Sequence, residues 1–338
     1  MAARFVVLLV LLMALIPAGR ADPAPWRGEG WKTDFSRATV ALEQVLDGGP
    51  PRDGIPAIDR PTFKRAGDIK DLGEQEPVIV FPLGPDARAY PLRVLMWHEI
   101  ANDVVGTLPV AVTYCPLCNA SIVFDRRLDG RVLDFGTSGK LRHSDLIMYD
   151  RQTETWWQQF TGEAIVGTLA GTKLKVLPSR VEPFREFRAA HPQGLVLVPS
   201  EPTARRYGSN PYVGYDTRGQ PYGLFRGDLP EGLPAMARVV VAQGSDGQLA
   251  VALSYLSERR QLTHGGLTFA WKPGTASALD RSDIRAGRDV GSVSVLDGTG
   301  KPVVHDVTFA FVLHAFDPQA VILTEKGIVR LADGKPAS

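Results

Sequence analysis

The chain of 338 residues holds two cysteines, and they stand three apart in Cys115-Pro116-Leu117-Cys118. Two thiols at that spacing can close a small disulfide, hold one metal ion, or cycle between redox states. A disulfide here is a poor staple, because closing so short a loop removes little chain entropy. With no other cysteine, the pair cannot be half of a four-cysteine zinc knuckle, so a metal needs ligands from distant sequence. His98, His143 and Met148 are the candidates. Two thiolates and an imidazole, with an added Met or His, suit copper(I) or zinc, because soft thiolates select those ions. Asp145 can orient His143 from behind, and Tyr114 and Trp97 flank Cys115 and His98. Each candidate also has a plainer reading: His98 as a helix histidine bonded to nearby backbone, His143 as a solvated loop residue, Met148 as core.

Several near-matches fail on chemistry. His98-Glu99-Ile100-Ala101-Asn102 carries Asn102 where a zinc-protease helix needs its second histidine. Around Gly136-Thr137-Ser138-Gly139-Lys140-Leu141, a phosphate loop would need glycine at Asp134 and a hydroxyl at Leu141. The same glycines are one residue short of a nucleophile elbow and read as a Gly-rich turn. No dinucleotide fingerprint is present, and no nucleotide cofactor is expected.

These residues must be positioned by short elements. Pro77-Val78-Ile79-Val80-Phe81 reads as a buried strand, Gly84-Pro85-Asp86 as a turn, and 87–90 as the returning strand. Pro91 suits a helix start, and Leu92, Leu95, Met96 and Ile100 continue at helical spacing, predicting a helix over 92–102. That helix sets His98 near the rim of its apolar stripe, within reach of the end of strand 110–114 where Cys115 begins. A hairpin turning at Asp129-Gly130 follows, with further strands at 146–149, 165–169 and 174–177. Helices are also predicted at 35–46 and around Phe184 and Phe187.

A weak internal repeat is visible at an offset of about 160 residues. Val78-Ile79-Val80, Gly84, Asp86, Leu92 and Leu95 match Val239-Val240-Val241, Gly244, Asp246, Leu253 and Leu256. In the second copy the cysteines are replaced by Lys272 and Thr275. Between the copies lies a segment in which four of the eight tyrosines fall within 16 residues, among them Tyr207, Tyr212 and Tyr215. Such residues can line a cleft, having an apolar face and a polar tip, or simply pin a long connection to the surface.

The expected organisation is therefore a signal peptide at 1–21, an extended segment at 22–60, a first lobe at 61–200 with the Cys-x-x-Cys site, a tyrosine-rich connection at 201–230 and a second, degenerate lobe at 231–330. The expected fold class is α+β and β-rich: two tandem related lobes of short strands with a few short helices. The signal is read from Arg4, the apolar run 5–16, Pro17 and the small residues Gly19 and Ala21. That run is too short to stay as a spanning anchor, which needs ~20 apolar residues. The expectation is an exported protein, periplasmic or extracellular, with no membrane anchor in the mature chain. The 38 Lys+Arg nearly cancel 37 Asp+Glu, so no basic field exists to hold nucleic acid. Hydrophobic residues at 44% exclude a disordered chain.

Several long stretches carry a family resemblance. Asp53-Gly54-Ile55-Pro56-Ala57-Ile58-Asp59, Ala89-Tyr90-Pro91-Leu92, Trp97-His98-Glu99-Ile100-Ala101-Asn102-Asp103 and Thr113-Tyr114-Cys115-Pro116-Leu117-Cys118-Asn119 stand in that order. Phe135-Gly136-Thr137-Ser138-Gly139-Lys140-Leu141, Met148-Tyr149-Asp150-Arg151-Gln152-Thr153-Glu154 and Trp157-Gln158-Gln159 follow. The whole, over about residues 45–325, resembles the prokaryotic family known as domain of unknown function 3179. The resemblance implies no particular activity. It implies that the histidine-bearing segment, the cysteine turn and the hairpin after it belong to one constellation.

Three functions remain open: an exported protein holding copper or zinc through the Cys-x-x-Cys/His site, a periplasmic thiol–disulfide oxidoreductase, and a non-catalytic binding module with a structural disulfide. The partner is a metal donor or a small molecule. Against the oxidoreductase, the sequence after Cys118 reads as a strand, whereas a helix N-terminus there is what lowers a nucleophilic thiol's pKa.

Overall fold

The computed structural model of the chain describes residues 24–245 and 247–337. The segment 1–21 read as an export signal, and Asp246 of the repeat, lie outside the described residues. Of the described residues 40% are strand and 13% helix, and the architecture is a five-bladed β-propeller. This corrects the expectation of an α+β molecule in two tandem lobes. The strands divide into five sheets of five, four, five, five and three strands, with one small two-stranded hairpin beside them. One apolar cluster runs from Ile79 through Cys115, Cys118 and Leu146 to Leu279 and Val312, so both halves of the chain close over a single main core. Short alternating runs and 34 glycines fold this way because each sheet must bury a face against its neighbour rather than against its own helix.

Two of the sheets share a strand order. In one, the hairpin Pro77–Leu83 and Asp86–Pro91 lies between antiparallel Arg180–Pro183 and parallel Leu195–Val198. In the other, the hairpin Arg238–Gly244 and Gly247–Ala252 lies between antiparallel His305–Phe309 and parallel Val321–Thr324. A helix, Phe184–Ala190 or Ala310–Phe316, carries the chain from the antiparallel to the parallel strand in each. The first hairpin closes through Gly84-Pro85, with Gly84 at φ 58 and Pro85 bound to negative φ, the pairing a type II′ turn requires.

Two predicted helices yield to sheet pairing. The helix expected over 92–102 is one turn, Leu92–Leu95, and Ile100–Val105 is instead a strand paired with Leu108–Cys115. The helical spacing of Leu92, Leu95, Met96 and Ile100 survives only as burial. Beyond Glu99 the backbone pairs on one side with Leu108–Cys115 and on the other meets Ile58, which bonds the Ile100 carbonyl and the Asn102 amide. The helix expected over 35–46 is a single 3-10 turn, Leu42–Gln44, because Leu46–Asp47 adds to the edge of strand Phe135–Arg142. The Gly-rich turn expected at 136–139 lies inside that same strand, as a bulge between Thr137 and Lys140. Gly139 has φ 74, and a Cβ there would collide with the Pro50 carbonyl.

Candidate functional site

The site forms where two hairpin turns from different sheets meet. Strand Leu108–Cys115 pairs with Ala120–Asp125, and Cys115 stands opposite Ala120, so Pro116-Leu117-Cys118-Asn119 is the connecting loop. The loop closes through the Cys118 amide to the Cys115 carbonyl at 3.2 Å and the Asn119 amide to the Pro116 carbonyl at 3.3 Å. In the next sheet, strands Phe135–Arg142 and Asp145–Asp150 pair with Arg142 opposite Asp145, leaving the two-residue turn His143-Ser144. Both turn residues have positive φ, 54 and 63, as a type I′ turn demands. The turn delivers the Ser144 carbonyl to both thiols, 3.4 Å from Cys118 Sγ and 3.7 Å from Cys115 Sγ. Asp145 follows directly.

Cys115, Cys118 and Asp145 form the one cluster of ligating groups found among the described residues, with their ligand atoms within 4.8 Å of one another. All three are buried and both cysteines are free thiols. Asp145 Oδ2 accepts from Gln158 Nε2 at 2.6 Å and from the Phe160 amide at 2.9 Å. Its Oδ1 is buried without a hydrogen-bond partner of normal geometry. Glu99, also buried, stands close enough for its charge to bear on Asp145 and Cys115.

The electrostatics are those of buried acids packed together, with the Arg142 charge bearing on Asp145 from beside Gln158. Burial pushes Glu99 up to about 8, with the Asp145 charge adding to the effect. Burial pushes Asp145 up to about 6 against the lowering hydrogen bonds of Phe160, Gln158 and the Cys118 and Cys115 thiols. Both thiols are raised above their ordinary value, Cys118 furthest, again chiefly by burial. Among the described residues eight non-glycines have positive φ; Asn119, His143 and Ser144 belong to these turns and Glu99 stands just before strand Ile100–Val105. Such backbone persists where the surrounding structure over-determines it.

The remaining residues singled out from sequence fall into three groups. Met148 is wholly buried in the main core, with Thr137 and Trp157 as strand neighbours. His98 and His143 are not in the ligating cluster. His98 Nδ1 lies 2.7 Å from the Pro56 carbonyl, which can only accept, so Nδ1 carries the proton and Nε2 accepts from the Tyr207 hydroxyl at 2.8 Å. Burial keeps this imidazole below its ordinary pKa, offset in part by Pro56. The His143 ring packs edge-on against Phe316 at 5.3 Å, and burial with the Arg142 charge lowers it to about 4. Trp97 packs on the main core with its indole nitrogen buried and unpartnered, and the buried Tyr114 hydroxyl is likewise unpartnered.

The tyrosine segment covers the cysteine loop. Tyr215 donates to the Leu117 carbonyl at 3.0 Å and stacks on Tyr222 with centroids 4.5 Å apart. Tyr212 is raised by burial and by the nearby Glu99 and Cys115 charges. Tyr207 reaches His98 rather than the sulfurs. From the other side, Thr308 Oγ1 donates to the Cys118 carbonyl at 2.8 Å and Asn119 Nδ2 to the Val307 carbonyl at 2.7 Å. Glu99 stands out in the sequence only inside a rejected helix motif and one family-like stretch, neither of which marks it as a ligand. Nothing in its neighbours signals burial until Ile100–Val105 is known to be a strand.

The family model for proteins of unknown function designated DUF3179 matches residues 52–320, most of the chain, and the chain belongs to that family. No curated protein and no solved structure matches it.

Proposed function

We propose that this DUF3179 member is an exported protein that holds one soft or borderline metal ion, zinc before copper(I), at Cys115, Cys118 and Asp145. The observation that carries the reading is a buried Asp145 carboxylate set within 4.8 Å of two thiols, with Oδ1 met by no N–H or O–H donor and only the thiols left to satisfy it. A buried carboxylate oxygen without a donor costs several kcal/mol unless paired, on the order of 1–3 kcal/mol for a neutral group and more for a charged one. A metal cation supplies the missing charge to all three groups at once. The mixed sulfur and oxygen donor set fits zinc, which accepts both, better than copper(I), which favours purely soft ligands. Glu99 lies outside this cluster and bears on it through its charge.

The raised thiol pKa values argue against the oxidoreductase reading, since a nucleophilic cysteine of that class is held low by a helix terminus or a cation. The chain's own residues would bind and orient the ion, and the tyrosine segment would exclude water. Export rests on the sequence of 1–21. Among the described residues no helix is long and apolar enough to cross a membrane.

Zinc and copper(I) titrations against chelators of graded affinity test this. Wild type is expected to hold zinc more tightly than a matched chelator, and Asp145→Asn and Cys118→Ser to lose at least about a hundredfold, since even outer-shell changes cost 10–100-fold. Equal zinc affinity in wild type and both variants would overturn the proposal.

A further inference from the structure

A cleft of ≈520 Å³ opens beside the cysteine sheet, separate from the cluster just described, and it carries features of a second site. Its walls are apolar and aromatic. Phe160 and Phe316 stand with ring centroids 5.1 Å apart and planes at 31°, and Ile122, Val241 and Leu313 continue the surface. The size falls within the range of pockets that enclose drug-sized ligands, about 300–1,000 Å³.

Three charged side chains line it: Lys173, Asp306 and Asp317. Lys173 already has a counter-ion, Glu163, at 3.8 Å. Asp317 is used locally, its Oδ1 accepting from the Gln319 amide at 3.1 Å. Asp306 is different. Its Oδ1 accepts from the Ser121 amide at 3.0 Å, but its Oδ2 is buried with no partner. No cation pairs with it: the neighbouring His305 turns its ring nitrogens to the Val303 and Val293 carbonyls at 2.8 and 3.3 Å. Burial pushes Asp306 up to about 7 in spite of the amide hydrogen bonds from Ser121 and Val307. An arriving cation would therefore restore the charge that burial suppresses.

We infer that this cleft binds a small organic cation, an amine on a flat apolar body, with the body lying on the wall that Phe160 and Phe316 form together and the ammonium on Asp306. An anion would meet two carboxylates and one ammonium that is already paired. A neutral ligand would fill the walls but bring no charge to Asp306, forgoing the charge-assisted hydrogen bond. None of the three cluster residues lines the cleft, although Phe160, whose amide holds Asp145, does, and the Asp145 charge adds to the rise of Asp306.

Three matched indoles test it by calorimetric titration of the folded full chain: tryptamine, 3-ethylindole and indole-3-propionate. Tryptamine is expected to bind at least about tenfold tighter than 3-ethylindole, the worth of one charge-assisted hydrogen bond, and indole-3-propionate weakest. Asp306→Asn keeps the volume and the acceptor for Ser121, and should bring tryptamine down to the affinity of 3-ethylindole. Val241→Trp should shut out all three by filling the wall. If 3-ethylindole binds wild type as well as tryptamine does, or if none binds, the inference fails. It fails equally if Asp306→Asn keeps the amine preference, or if Val241→Trp binds tryptamine like wild type. Should Asp306→Asn not fold, the ranking of the three probes on wild type and on Val241→Trp decides.

Discussion

At the scale of single residues, the account turns on one oxygen. Asp145 Oδ2 is fully used, by Gln158 at 2.6 Å and the Phe160 amide at 2.9 Å, and these bonds aim Oδ1 toward the thiols. Gln158 is thus a positioning residue. Gln158→Leu should lower zinc affinity by about 10–100-fold while leaving the stoichiometry at saturation unchanged, because the ligands stay and only their orientation loosens. A merely structural glutamine would change melting temperature without changing affinity, so the pair of measurements separates the roles. The cysteines were legible from the sequence because two thiols three apart stand out in any chain. Asp145 was legible only as a neighbour of His143. Its promotion to ligand depends on a turn conformation that places its carboxylate, not the imidazole, among the sulfurs, and the neutral His143 ring is spent on Phe316.

At the scale of elements, the turn His143-Ser144 is the piece that joins the two sheets' chemistry. A type I′ turn favours Asn-Gly, and here Ser144 holds φ 63 with an ordinary side chain. The left-handed conformation costs a non-glycine residue about 1–2 kcal/mol, and glycine gives back about 0.5–1 kcal/mol through the freer unfolded chain. Ser144→Gly should therefore stabilise the protein by about 0.5 kcal/mol by chemical denaturation. It should also leave metal affinity unchanged, since only the Ser144 carbonyl meets the thiols. Destabilisation, or loss of metal, would mean that the Ser144 side chain itself supports the site. Strands bounded by glycine and proline, such as Pro77–Leu83 and Asp86–Pro91, could be read from the sequence because turn chemistry and burial agree there. The segment 92–102 could not. Its apolar spacing satisfies a helix and a buried strand equally, and only pairing with Leu108–Cys115 decides between them.

At the scale of the molecule, sequence similarity between the halves marks two sheets of like strand order, not two bodies. The matching runs 78–80 and 239–241 are the inner strands of those two sheets, and how the sheets come together around the main core is a property of contacts that no local pattern carries. One buried ion cluster ties the tyrosine segment to the second of these sheets. Asp216, fully buried, accepts from Arg238 at 2.9 Å, Arg288 at 2.8 Å and Ser277 Oγ at 2.5 Å. Burial alone would raise this carboxyl, but the Arg238 charge and the hydrogen bonds from Ser277, Arg238 and Arg288 overcome it and hold the group below its ordinary value. A depressed carboxyl contributes stability above its unfolded pKa of about 3.9 and loses it as pH falls through the lower folded value. Asp216→Asn should accordingly cost about 3 kcal/mol at pH 7, the scale of breaking a buried pair, with the gap to wild type closing below about pH 4. A gap constant from pH 7 to 3 would show that the aspartate acts through shape and not charge.

The central claim is that the two thiols and Asp145 hold a metal ion in the protein as the cell makes it. Elemental analysis of the full chain, purified without chelator from the exported fraction, tests this most directly. The account predicts close to one zinc per chain in wild type and a metal-free Cys118→Ser protein. A metal-free wild-type protein whose thiols titrate reversibly with a mild disulfide would contradict it.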